Sequence, residues 1–287
     1  MQLEGRRKSS NVEDRRRGGG AAAAGGIGLG GILIAGLIWL LTGQDPSTVL
    51  QTIDPGTITT TQNTEYTANA EDQELYDFAS IILAGTEDVW TQIFQKNGLT
   101  YVPPKLVIFD GSVQSGCGGA TAQSGPFYCS ADQSVYLDLS FFKDMKRQFG
   151  TTGDFAWAYV IAHEVGHHVQ YLLGTLNQVN QKRARSNEKT ANQLSVRLEL
   201  QADFYAGIWA HYDQKRFHSL EEGDIEEGLN IAAAIGDDRI QKNTYGRSYP
   251  DSFTHGTSAQ RAKWLKKGLS TGDPSLGDTF SPSYSDL

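Results

Sequence analysis

The sequence predicts an α+β fold, because strand-like runs come first and long helical runs follow. "KLVIFD", residues 105–110, follows Pro103-Pro104 and reads as a short strand. "SVYLDLSFF", residues 134–142, alternates Val135, Leu137 and Leu139 against Tyr136 and Asp138, as a half-buried strand does. Beyond them, "AWAYVIAHEVGHHVQYLLG" (156–174) and "RLELQADFYAGIWAHY" (197–212) repeat apolar residues at helical spacing.

Taken in order, the chain of 287 residues is long enough for one substantial domain with extensions. The first segment is basic, with Arg6, Arg7, Lys8, Arg15, Arg16 and Arg17 against Glu4, Glu13 and Asp14. No charge occurs from Gly18 to Gln44, and residues 21–43 have the length of a membrane span. A secretory signal peptide is the alternative, but "TGQDPST" after Leu41 offers no small-residue cleavage site, which favours an uncleaved anchor. The basic flank predicts a cytoplasmic tail over 1–20 and one transmembrane helix over 21–43 in the cytoplasmic membrane. The rest of the chain then lies outside. Residues 44–70 are polar and Thr-rich, a linker, and 71–287 form the main domain. The net charge of −8 is concentrated there, which argues against nucleic acid as a partner. No oligomeric state follows from the sequence.

Within the domain, a helix is expected over 71–97, closed by Gly98. Thr152 or Asp154 can open the helix that Gly174 ends, and Ser186 or Asn187 the following one. Ser219-x-x-Glu222 and Thr257-x-x-Gln260 read as capping boxes opening two more.

The helix over 156–174 sets His163, Glu164 and His167 among Trp157, Tyr159, Val160, Ile161, Val165 and Val169. Buried polar groups without partners cost about 1–3 kcal/mol each, so three of them need a reason. His163 and His167 are four apart and share one helical face, where two neutral imidazoles can ligate one Zn²⁺ with Glu164 beside it as a base. A catalytic zinc takes a third protein ligand. Glu199 is the candidate, with Asp203 one turn on to accept the free N–H of a ligand histidine and fix its tautomer. His168 points elsewhere on the helix, and His211 and His218 read as surface groups.

These residues resemble the gluzincin pattern, H-E-x-x-H with a downstream E-x-x-x-D. More narrowly, "GRRKSSNVEDRR", "GPFYCSADQSVYLDLSFF", "AHEVGHHVQ", "ELQADFYAGIWA", "IGDDRIQ" and "FTHGTSAQR", in this order, resemble the bacterial "putative neutral zinc metallopeptidase" family across nearly the whole chain. The resemblance implies a zincin-like metallopeptidase domain, with a small sheet and active-site helices, anchored to the membrane and acting on a protein or peptide substrate. Zincins bind substrate along a strand edge, which makes the stretch holding Tyr128 and Tyr136 a candidate border of the cleft and Tyr136 a candidate substrate contact. Gluzincins also place a donor opposite the metal. His255 lies in the family-like motif and is the candidate, with Arg261 as its substitute, as a group binding the substrate backbone, or as a partner for an acidic neighbour.

Cys117 and Cys129 would form a disulfide if this region lies outside the cytoplasm, and stay as free thiols if the topology is reversed. Asp237 and Asp238 read first as a solvated turn after a helix, and otherwise as residues that orient a ligand or cap a turn. The chemistry expected is hydrolysis of a peptide bond, with zinc on His163, His167 and Glu199 and Glu164 as the proton carrier. The rivals are an extracytoplasmic zinc amidase acting on cell-wall peptides, a metal-retaining protein without proteolytic activity, and a metal-free membrane scaffold.

Overall fold

The computed structural model describes residues 1–16, 69–149 and 153–287. The expected span over 21–43 and most of the expected linker lie outside the described residues. Among the described residues, no helix is long and apolar enough to cross a membrane.

The fold is mixed α+β, as expected. Its main sheet has the order β1-β2-β6-β5, formed by Val12–Asp14 (β1), Lys105–Phe109 (β2), Ser134–Asp138 (β6) and Phe127–Cys129 (β5). The first three strands are parallel, with Leu106 opposite Val12 on one side and Val135 on the other. Strand β5 runs antiparallel to β6 and has no strand partner on its outer edge among the described residues. A hairpin of Ser112–Ser115 (β3) and Gly118–Thr121 (β4) stands apart. Residues of β2 and β6 are buried on both faces, the pattern of an interior parallel pair. Leu106, Ile108, Val135 and Leu137 face the helices, whereas Val107, Phe109, Cys129 and Tyr136 form a small second cluster.

The helices are α1 (Ala70–Lys96), α2 (Ser140–Phe149), α3 (Asp154–Leu172), α4 (Thr175–Arg183), α5 (Glu188–Phe217), α6 (Asp224–Ala234), α7 (Asp237–Tyr245) and α8 (Ser258–Thr271). Asn187 caps α5 through the Thr190 N–H, and the Thr257–Gln260 capping box is fully formed. Three expectations shift. The strand over 134–142 stops at Asp138, whose carboxylate accepts the Ser140 N–H and starts α2. Helix α3 starts after Gly153 without a side-chain cap. The Ser219 box does not form, because Ser219 is buried and its carbonyl accepts the Gln2 N–H. Helix α6 begins instead at Asp224, after left-handed Gly223.

That last contact belongs to the largest correction. Residues 1–16 are no detached tail but part of the domain. Strand β1 completes the sheet, and the Met1 amino group sits 2.8 Å from Glu221 and 3.4 Å from Asp224. Arg6 forms a paired contact with buried Asp213, Arg7 binds Glu87 and Asp88, and Ser9 and Asn11 both donate to Glu87. The basic residues read as a membrane-flanking tail are counterions for an acidic surface.

Candidate metal centre

Helices α3 and α5 pack closely, and a glycine permits it. Gly166, between His163 and His167, faces Ala202, and a Cβ there would lie 3.0 Å from the Ala202 carbonyl oxygen. This approach brings Glu199 up to the two histidines. Its Oε2 lies 3.2 Å from His163 Nε2 and its Oε1 3.5 Å from His167 Nε2. All three ligand atoms lie within 4.8 Å of one another. A tetrahedral zinc with bonds near 2.0–2.1 Å separates its ligand atoms by roughly 3.3 Å, so the two Nε2–carboxylate distances suit a shared ion.

The far side of each imidazole fixes which nitrogen faces that centre. His163 Nδ1 donates to Asp203 Oδ1 at 2.8 Å, and His167 Nδ1 donates to Gln170 Oε1 at 2.9 Å. Both Nε2 atoms are thereby left as acceptors for a metal. Asp203 was expected in this role. Gln170 was not, although it lies one turn beyond His167 on the same helix and was legible in principle as an i+3 partner. Its amide also donates to the Leu198 carbonyl, at 2.7 Å, tying α3 to α5.

Asp203 is fully buried and accepts from four donors: His163, Tyr159 Oη, and Arg261 through Nε and Nη2. Burial alone would raise its pKa, but Arg261 and then His163 bring it down to about 2. Arg261 therefore does not match the substrate contact expected of it. It is buried, Nε and Nη2 are engaged by Asp203, Nη2 also meets Tyr159 Oη at 3.1 Å, and Nη1 points to the Ile235 carbonyl. It holds Asp203 charged in the core.

Glu164 is not among the ligands. It lies beside them, with the backbone of Tyr128 on strand β5 acting on its carboxylate. Burial, the largest influence, raises its pKa. The Tyr128 hydroxyl meets His168 Nδ1 at 2.9 Å, and His168 Nε2 donates to the Val102 carbonyl at 2.7 Å. His168 is thus a buried strut. Tyr136 is corrected as well. It is buried in the second cluster, stacked on Phe127 with its hydroxyl 2.6 Å from Asp132, and makes no wall of the site. Tyr128 is the tyrosine that the site does contact. Cys117 and Cys129 are joined in a disulfide beside β5.

His255 sits before α8, where Gly256 takes the left-handed φ of +96° that an L side chain rarely adopts. The Asp237 carboxylate gathers this turn, accepting the N–H groups of Thr254, His255 and Gly256 and lying 3.1 Å from His255 Nδ1. Asp238 accepts both the N–H and hydroxyl of Ser258. The pair read as a solvated turn is a scaffold for His255. Burial lowers the His255 pKa, but Asp237 and then Glu199 outweigh it and the net shift is upward. The same field from His255 reaches Glu199.

The match to known families follows the same residues. The family model described as "Putative neutral zinc metallopeptidase" matches residues 1–280. The chain is 48% identical over 289 residues to "Uncharacterized protein YpfJ" of Escherichia coli K12, covering 99% of this chain and all of that one. It is 47% identical over 191 residues to "Uncharacterized protein Rv2575" of Mycobacterium tuberculosis H37Rv, covering 63% of this chain and 64% of the relative. No solved structure matches.

Proposed function

The chain belongs to the "putative neutral zinc metallopeptidase" family, and from that membership and the site we propose that it is a zinc-dependent endopeptidase. One observation carries the reading. Two histidines and a glutamate offer three convergent ligand atoms, while a second carboxylate, Glu164, stays outside the set and beside strand β5.

His163, His167 and Glu199 would hold Zn²⁺, which when bound polarises a carbonyl and makes water a nucleophile near neutral pH. Glu164 takes the proton of the attacking water on its carboxylate and delivers it to the leaving amine. Its raised pKa suits a group that must both accept and give up a proton. Strand β5 offers its free edge to an extended peptide, which explains why the base and the substrate would be positioned by one strand. His255, oriented by Asp237, donates to the oxyanion as the carbonyl becomes tetrahedral.

The disulfide supports an oxidising compartment for the domain, and residues 1–16 would lie there with it. Casein digestion by the full chain, with and without a chelator and with zinc content measured in parallel, tests the function. Chelator-sensitive cleavage is expected. A zinc-loaded protein that cleaves neither casein nor a random peptide library would remove the peptidase reading.

A further inference from the structure

Arg183 closes helix α4, which packs against both metal helices. It is half-buried, and its Nε is shut off from solvent without a hydrogen-bond partner. Its only side-chain hydrogen bond among the described residues is Nη1 to the Asn180 side-chain oxygen at 3.1 Å. No carboxylate pairs with it there. Glu199, the site carboxylate that acts on it electrostatically, is engaged by His163 and His167. The other arginines near the core differ. Arg261 is saturated by Asp203, and Arg6 is paired with Asp213.

A guanidinium is a rigid fork built for bidentate contact with a carboxylate, and one that is partly desolvated without such a partner is poised to take one. We propose that Arg183 is a specificity-determining residue that binds a carboxylate of the peptide substrate. The carboxylate comes either from an acidic side chain or from a free C-terminus. This rests on the peptidase reading for the word substrate, but the binding itself does not depend on turnover.

The test separates the two. The full-length protein carrying Glu164→Gln, loaded with zinc, is titrated with four fluorescent peptide pools of equal length. One has a fixed Asp or Glu and an amidated end, one the matching amide residue and an amidated end, one that neutral residue with a free C-terminus, and one a fixed Lys with an amidated end. At least one carboxylate pool should bind about tenfold tighter than the neutral amidated pool, and which one identifies the source. Adding Arg183→Gln should collapse that ratio to near one. Arg183→Lys should recover part of it, and Arg183→Glu should favour the Lys pool instead. A melting curve of each variant verifies folding. Equal binding of all pools, no binding, or a preference that survives Arg183→Gln overturns the inference. Cleavage by the Glu164-intact protein is scored on the same pools. Cleavage without a carboxylate preference sinks the Arg183 assignment alone, whereas Arg183-dependent binding without any cleavage sinks the peptidase reading alone.

Discussion

Asp237 Oδ1 lies 3.1 Å from His255 Nδ1, while its other oxygen accepts three successive backbone N–H groups around that histidine. The histidine is thus held in position by one carboxylate, which also raises its pKa. His255→Ala should retain zinc and fold, yet lower kcat by about 10²–10³-fold with KM little changed, as loss of an oxyanion donor does. A kcat within a few-fold of wild type would leave His255 a structural role only.

The pH dependence follows from the same pair. His255 is raised above its ordinary 6.5 because Asp237 outweighs burial, so the donor form persists above that pH and activity falls as pH rises through the raised value. Asp237→Asn removes the raising partner, so the alkaline fall in kcat/KM should move to lower pH. The stability contribution of His255 is likewise full below 6.5 and lost as pH rises through its folded value. That of Asp237, which is held below its ordinary 3.8, is present above 3.8 and lost as pH falls through its folded value. An alkaline limb unmoved in Asp237→Asn would contradict the arrangement.

Asp203 is the hinge between metal and core. Asp203→Asn should weaken zinc binding by about 10–100-fold, since it fixes the His163 tautomer. It also leaves Arg261 buried beside a neutral amide, a loss of about 3–5 kcal/mol in the worst case. Competition against a chromogenic chelator reads the first effect and a melting curve the second. Wild-type zinc affinity in this variant would show that Asp203 serves the fold alone.

The helices that carry the centre were legible because their polar residues interrupt apolar stretches at spacings of four. His163, His167, Glu199 and Asp203 then fall on facing surfaces. What the sequence hid depends on contacts distant in the chain. Gln170 looks like any helical glutamine until its neighbours on α5 are seen. Arg261 and Tyr136 looked available because residue type says nothing of burial. The N-terminal segment was misread for a physical reason: arginines beside an uncharged stretch signal a membrane flank, and only the fold shows the acidic partners Asp213, Glu87 and Asp88 that they neutralise.

That segment predicts its own outcome. Asp213 is 1% exposed, so Arg6→Met strands a buried carboxylate and should cost about 3–5 kcal/mol, seen as a lower midpoint in urea. Removing residues 1–16 should destabilise further by stripping β1 from β2. A truncated domain as stable as the full chain would show that the N-terminus is dispensable to the fold.

The Cys117–Cys129 pair closes a short loop beside β5, and such a bridge stabilises by about 3 kcal/mol. Protein unfolded without reductant should show no reactive thiol. Two reactive thiols per chain would contradict both the bridge and the oxidising compartment.

The account rests most heavily on Glu164 as a base that does not ligate. The most direct measurement compares zinc stoichiometry and peptide hydrolysis in the wild type and Glu164→Gln, purified side by side. One zinc per chain in both, with turnover lost in the variant by about 10³-fold or more, is the predicted result. Retained hydrolysis in Glu164→Gln, or absence of bound zinc in the wild type, would contradict it.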